Sequence, residues 1–249
     1  VENLSYEIRT LQQRIKSFAG IRMLGREKCD MVKYPIFLKM EGRRAVVIGA
    51  GTVALRKVQV LLETGAHLIV IAERIDPAIE VLCRKNENAQ LIKSPYSREY
   101  LAGATLAIAA TNNHQLNKQI YRDCQNVNVL CNVVDAPDLC DFFAPAVLQR
   151  GDLQIAISTN GICPSYSAHI RKKLEEIFTD KHALFLAELE CLRAKVIGEV
   201  PEEADRKALM GKLTDDDSLH IFMTNGADEW RRYANELITK KQPDEMRSF

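Results

Sequence analysis

Residues 45–54 read Ala45-Val46-Val47-Ile48-Gly49-Ala50-Gly51-Thr52-Val53-Ala54. An apolar run enters a G-x-G-x-x-A turn, and Thr52 opens a stretch with helical apolar spacing. Strand, glycine turn and helix in that order begin a βαβ unit, and this form of the turn is a dinucleotide fingerprint. The small residues act differently. Gly49 permits the tight turn, Gly51 lets backbone approach a pyrophosphate, and Ala54 keeps helix close to strand. The helix start, with Thr52 and Val53 in its first turn, then offers free N–H groups to the anion. A glycine turn without a ligand is the alternative.

The same alternation extends on the C-terminal side. A helix is expected over 52–63, with Val53, Val58, Leu61 and Leu62 inward and Gly65 stopping it, then a strand over 67–72. A helix opens at Pro77, short apolar runs follow at 89–92 and 104–110, a helical turn lies at 98–101, and a helix over 113–125 leads to an apolar run at 127–134. Strands and helices of this length imply a doubly wound parallel sheet of the Rossmann type, with helices on both faces. After Asp135 the pattern changes. Two runs, 142–148 and 153–158, are separated only by Gln149-Arg150-Gly151-Asp152 and read as a hairpin. Helices are expected at 165–178 and 183–197, an acidic turn-prone segment at 201–203 and 215–217, and a last helix around Trp230. The expected organisation is an N-terminal helical extension (1–33, from the stripe Leu4, Ile8, Leu11, Ile15 and Phe18), a dinucleotide-binding domain (34–148), and a dimerisation and helical C-terminal domain (149–249).

Composition narrows the function classes. Lys plus Arg is 34 against 33 Asp plus Glu, a net charge of +1 that gives no general footprint for nucleic acid. No run reaches the about 18 apolar residues of a membrane-spanning helix, and Val1-Glu2-Asn3-Leu4-Ser5 leads into an amphipathic segment, not a signal-peptide core. The seven cysteines are scattered, without a C-x-x-C pair, which fits free thiols in a reducing cytoplasm. Cys131 and Cys140 flank the segment that carries Asp135, yet read as buried, inert thiols; no metal ligand is assigned.

Three groups of residues are candidates for chemistry. Glu73, 22 residues after Gly51, closes the second strand, where a carboxylate accepts ribose hydroxyls and favours NAD over NADP, while neighbouring Arg74 offers a guanidinium to a 2′-phosphate. Thr111, Asn112 and Asn113 follow the fourth strand and either line the nicotinamide side or cap the next helix. Asp135 ends an apolar run, where partial burial of its carboxylate suits a general base; Asp138 and Asp141 read as turn and capping residues.

Tyr34-Pro35-Ile36-Phe37-Leu38, Val47 to Lys57, Ala109 to Asn113, Asn132 to Asp135, Phe142 to Ala146, Ala156 to Gly161 and Ile170 to Glu175 together resemble the siroheme synthase family, that is precorrin-2 dehydrogenase/sirohydrochlorin ferrochelatase. The likeness covers about residues 34–178. It implies NAD-dependent oxidation of precorrin-2 to sirohydrochlorin, with the family's catalytic aspartate on Asp135 and nucleotide contacts on Thr52, Val53, Glu73, Arg74 and the 109–113 loop. It also implies a homodimer packed through the hairpin and, in bifunctional members, insertion of Fe²⁺ at the same cleft. Asn160 stands where the family commonly has a second glycine, Cys163 precedes Pro164 in place of serine, and Ala168 replaces a frequent arginine. The length implies that the methyltransferase domain fused in some relatives is absent, so that another protein supplies precorrin-2. For a substrate with many carboxylates, Arg150, His169, Arg171, Lys172 and Lys173 are candidate contacts; the last three residues equally form a solvated helix face paired with Glu175 and Glu176. A non-catalytic NAD-sensing module would share the glycine turn but has no need of the Asp135 strand end and the hairpin behind it.

Overall fold

The computed structural model describes residues 33–240, so the helix expected from the stripe at 4–18 lies outside the described residues. Residues 33–38, part of a separate unit ending at Leu38, form no helix or strand. From Arg44 the chain builds a parallel sheet: β1 (Arg44–Ala50), β2 (His67–Ile75), β3 (Ala89–Ile92), β4 (Ala104–Ala109) and β5 (Leu130–Val133), in the order β3-β2-β1-β4-β5. Helices α1 (Thr52–Glu63), α2 (Pro77–Arg84) and α3 (His114–Asn126) connect the strands.

Side chains alternate across a strand, so β1 feeds two cores at once. Ala45 and Val47 join Leu68, Val70 and the α1 residues Ala54 and Val58 on one face. Val46 and Ile48 join Ile69, Ile71 and the α3 residues Ile120 and Cys124 on the other. Burial on both faces explains why these strands read as continuous apolar runs. Val53 departs from expectation. It is 53% exposed, because the inward face of α1 is set by Ala54, Val58 and Leu61, and the first turn of the helix stands at the sheet edge.

Behind the sheet, β6 (Ala146–Arg150) and β7 (Leu153–Ile157) form the antiparallel hairpin, pairing Arg150 with Leu153 across a turn in which Gly151 takes φ +55°. The first hairpin strand starts at Ala146, not at residue 142. Phe142 is drawn to the sheet, where its ring packs on the α1-side core and its carbonyl accepts from Asn132 Nδ2 at 2.9 Å. Helix α4 (Pro164–Ile177) packs on the hairpin, and α5 (Asp180–Glu199) touches both the hairpin and the helices that follow.

The acidic clusters read as turns are helix starts. α6 (Glu203–Leu213) has Glu203 and Asp205 in its first turn, and α7 (Asp216–Asn225) is capped by Asp215, whose carboxylate accepts from Ser218 N at 2.9 Å. Carboxylates there meet the positive end of the helix dipole and its unpaired N–H groups. With α8 (Ala227–Thr239), these helices and α5 enclose Trp230, which is fully buried, with the Phe185 and Phe222 rings 5.3 and 6.0 Å away. Trp230 Nε1 donates to Ser218 Oγ at 2.8 Å, and Ser218 Oγ donates to Leu213 O at 2.8 Å. Ser218→Ala would leave both partners buried and unsatisfied, at about 1–3 kcal/mol for a lost buried partner. Urea denaturation followed by Trp230 fluorescence should show that loss for Ser218→Ala.

Candidate functional site

Chain order reverses between β1 and β4, whose connections leave in opposite directions, and in such sheets the crevice at the carboxyl ends of those strands is the ligand site. Gly49 lies at the floor of that crevice with φ +104°. A Cβ on it would stand 2.7 Å from the Ala110 carbonyl carbon and 3.1 Å from Thr111 N. The chain leaving β4 therefore passes directly against this residue, tied by Ala110 N donating to Ile48 O at 2.8 Å. Gly51 differs. Its φ of −97° is open to any residue, and nothing lies within 4 Å of where its Cβ would point. The space that a side chain would fill is left clear beside the start of α1. No side chain caps that helix and no acid stands in its first turn, so the N–H groups of Thr52, Val53 and Ala54 are not claimed by a capping side chain. A pyrophosphate fits a bare helix start with that clearance.

The other predicted cofactor residues reach the same edge. β2 runs to Ile75, two residues beyond Glu73. Its register with β1 jumps from Ile48↔Ile71 to Ala50↔Ile75, so Glu73 and Arg74 sit in a bulge opposite Gly49, both exposed. Asp76 anchors the end of the bulge: its N–H donates to Ala50 O at 2.9 Å, and its carboxylate caps α2 by accepting from Ala78 N at 2.9 Å. Beyond β4, Asn113 is the N-cap of α3, accepting from Gln115 N and Leu116 N at 3.0 and 3.1 Å. Thr111 is held by Asn117, a buried residue that sequence reading missed: Thr111 Oγ1 donates to Asn117 Oδ1 at 2.6 Å and Asn117 Nδ2 returns a bond to Thr111 O at 3.0 Å. Its place at helical spacing on the same buried face as Ile120 and Cys124 was the available signal. Asn112 stands exposed between Thr111 and Asn113.

Asp135 follows β5 at the same edge, in a turn whose backbone is left-handed (φ +58°). A non-glycine residue there is uncommon, and at functional sites such strain costs about 1–3 kcal/mol. The burial expected of its carboxylate is not what the chain provides. Asp135 is exposed, because the strand ends at Val133 and the turn carries the side chain out of the core. Asp141 is structural: its carboxylate accepts from Cys131 N at 2.8 Å and from Gln125 Nε2, while its own N–H donates to Cys131 O at 2.7 Å. Cys140 brackets the Asp135 turn by donating to Val133 O and Ala136 O at 3.2 and 3.3 Å, and burial raises its thiol pKa. Half-buried Lys57, on α1, was also not singled out; burial, then Arg56, lowers its ammonium pKa, and the Cys140 thiol opposes that shift. Among the described residues no cluster of three His, Cys, Asp or Glu could hold a metal ion.

The candidate carboxylate-binding cations belong to the hairpin and α4. Arg150 Nε donates to Phe178 O at 3.0 Å, and Arg171 pairs with Glu175 one turn along α4, whereas Lys172 and Lys173 are exposed. Asn160 takes φ +54°, so it accepts the backbone for which a glycine is suited, and Gly161 follows at φ +80°. At the start of α4, hydrogen bonding from Ser165 and the Tyr166 backbone lowers the Cys163 thiol pKa.

Residues 36–146 match an NAD(P)-binding family model, and residues 150–177 match the sirohaem biosynthesis protein central model. The siroheme synthase of Psychrobacter arcticus is 35% identical over 184 residues, which is 74% of this chain and 32% of that protein. Over this span the chain is similar to siroheme synthases. The siroheme synthase of Pseudomonas fluorescens is 32% identical over 209 residues, covering 84% of this chain and 45% of its own length. The chain thus spans between about a third and a half of the length of these relatives. Among solved structures, SirC, a precorrin-2 dehydrogenase, superposes with a TM-score of 0.69 at 22% identity, covering 82% of this chain and 98% of SirC. That likeness shows the fold: a Rossmann-type sheet followed by a hairpin and helices.

The two glycines should respond differently to a methyl group. Gly49→Ala collides with backbone and should lower the melting temperature and NAD⁺ affinity together. Gly51→Ala has room within the chain and should change stability by less than about 1 kcal/mol, while NAD⁺ affinity, read by calorimetry, falls at least tenfold.

Proposed function

We propose that this chain is an NAD-dependent precorrin-2 dehydrogenase that forms sirohydrochlorin, with Asp135 as general base. One observation carries the reading. The uncapped helix start beside Gly51 and the left-handed turn that presents Asp135 stand at the same edge of the sheet, the first after β1 at the switch point and the second after β5, one strand beyond β4. The homology to siroheme synthases and the SirC fold support the substrate. Gly49, Gly51, Thr52 and Val53 would hold the pyrophosphate, Glu73 the adenosine ribose, and Thr111, Asn112 and Asn113 the nicotinamide side. NAD⁺ supplies the hydride acceptor when bound. Asp135 takes the proton that leaves the macrocycle as its carbon framework is oxidised, and an exposed carboxylate at the strand end can reach a bound substrate without moving the sheet.

The same reading extends to assembly. The outer face of the hairpin, Val147, Gln149, Gln154 and Ala156, is exposed, and a two-stranded sheet has two open edges, which supports a homodimer packed through this element. The six free cysteines among the described residues fit a reducing, cytoplasmic setting, and no described helix is long and apolar enough to cross a membrane. Fe²⁺ insertion, the second activity implied by the family, would share Asp135 as acceptor of pyrrole protons, with iron as a substrate.

Two variants test the assignment. Asp135→Asn keeps size and polarity but cannot act as base, so NADH formation at 340 nm with supplied precorrin-2 should fall by at least ~10²-fold while NAD⁺ affinity holds. Near-normal NADH formation by folded protein would remove Asp135 from the role. Glu73→Ala should narrow the preference for NAD⁺ over NADP⁺, with Arg74 then free to meet the 2′-phosphate; a wild-type chain that uses NADP⁺ equally well would contradict the role of Glu73.

A further inference from the structure

The opposite edge of the sheet holds a second concavity, of about 570 Å³, where the strands begin. Arg43, Arg44, His67, Asn88, Gln90 and Thr105 contribute polar side chains to its wall. Arg44 opens β1 and His67 opens β2, and the two are directly paired in the register. Between β1 and β4 the register slips just here, from Arg44↔Ala104 to Ala45↔Leu106, leaving Thr105 as a bulged residue beside Arg44. Bulges of this kind re-aim side chains and gather next to sites. β1 rises about 3.3 Å per residue, which places this edge about 20 Å from the glycine turn.

Arg44 is the decisive side chain. Its Nη2 donates to Tyr100 O at 3.2 Å, which fixes the guanidinium against the start of the sheet. Its Nε is buried and has no hydrogen-bond partner, the one such side-chain atom among the described residues. With Nε sealed from solvent, the guanidinium meets a ligand in the concavity through its terminal nitrogens, and a charge left without a carboxylate partner at this edge favours an anion. Among the described residues, no carboxylate forms an ion pair with Arg43, Arg44 or His67. Glu87 is the single acidic residue on the wall, and Glu41, close by in sequence, is engaged by Lys39 at 3.1 Å. Guanidinium groups with a histidine, two amides and a hydroxyl form a polar, cationic lining that matches an oxyanion in charge and in donors. The concavity is open to solvent on one side, and its volume exceeds what a bare anion fills.

We propose that this cavity binds a small organic oxyanion, carried by phosphate or carboxylate, at a site separate from the dinucleotide cleft. Titration calorimetry of the full chain with inorganic phosphate and with succinate, at constant ionic strength against chloride, tests it. Saturable binding is expected for at least one probe, and the stronger of the two identifies the anionic group. Arg44→Gln should weaken it about tenfold, the loss for one charge-assisted hydrogen bond. Arg43 is exposed, so Arg43→Gln provides a variant whose folding is not at issue and should weaken binding as well, with NAD⁺ affinity unchanged in both. Absence of saturable binding of either probe at millimolar concentration would overturn the proposal. So would binding that both variants leave intact, or that NAD⁺ displaces, since displacement would place the anion at the glycine turn.

Discussion

The approach of the β4 exit to Gly49 is the contact on which the cleft depends. Ala110 lies where the Cβ of any other residue would stand, so β1 and β4 can close only over a glycine. That closure sets where Thr111 to Asn113 leave the sheet, and Val134 N donating to Ala109 O at 3.0 Å carries the constraint on to β5 and the Asp135 turn. The residues proposed to hold the cofactor and to take the proton are thereby positioned by backbone packing, which is stiffer than side-chain contact.

Around this framework, polar residues divide between holding and presenting. Asn113, Asn117, Asp76 and Asp141 are consumed by backbone groups at helix starts and strand ends. Asp135, Glu73 and Asn112 are left exposed at the edge. An aspartate that caps a helix and one available for proton transfer are chemically identical; only their hydrogen-bond partners separate them. The exposed state of Asp135 makes bound ligands, more than its own chain, the source of any desolvation it experiences.

The C-terminal helices follow a different pattern. Their core is aromatic, built on Phe185, Phe222 and Trp230, and its single buried polar chain from Trp230 through Ser218 to Leu213 is fully paired. The hairpin stands before them in the chain, with Leu148 buried on its inner face and Val147 exposed on the other.

Much of the sheet was legible in the residues alone. Strands buried on both faces must be apolar throughout, so β1 to β4 stand out as runs, and the glycine turn marks the first crossover. Helix starts at Thr52 and Pro77 follow from local rules that act over one turn. What local rules could not settle was decided by contacts distant in sequence. Phe142 looks like strand but is held by Asn132 and the sheet core. Acidic clusters at 201–203 and 215–217 look like turns, yet lead into helix starts because Leu209, Leu213 and Phe222 have a core to join. Asp135 looks buried because its run is apolar, but burial belongs to the direction of a side chain after the strand ends, and the left-handed turn points it outward. Sequence by itself determined the alternation of elements and the residue types available at the cleft. Tertiary structure decided which of those residues are occupied by the backbone and which face the ligand, because that depends on strand register and close backbone approach, neither of which is a property of any local stretch of chain.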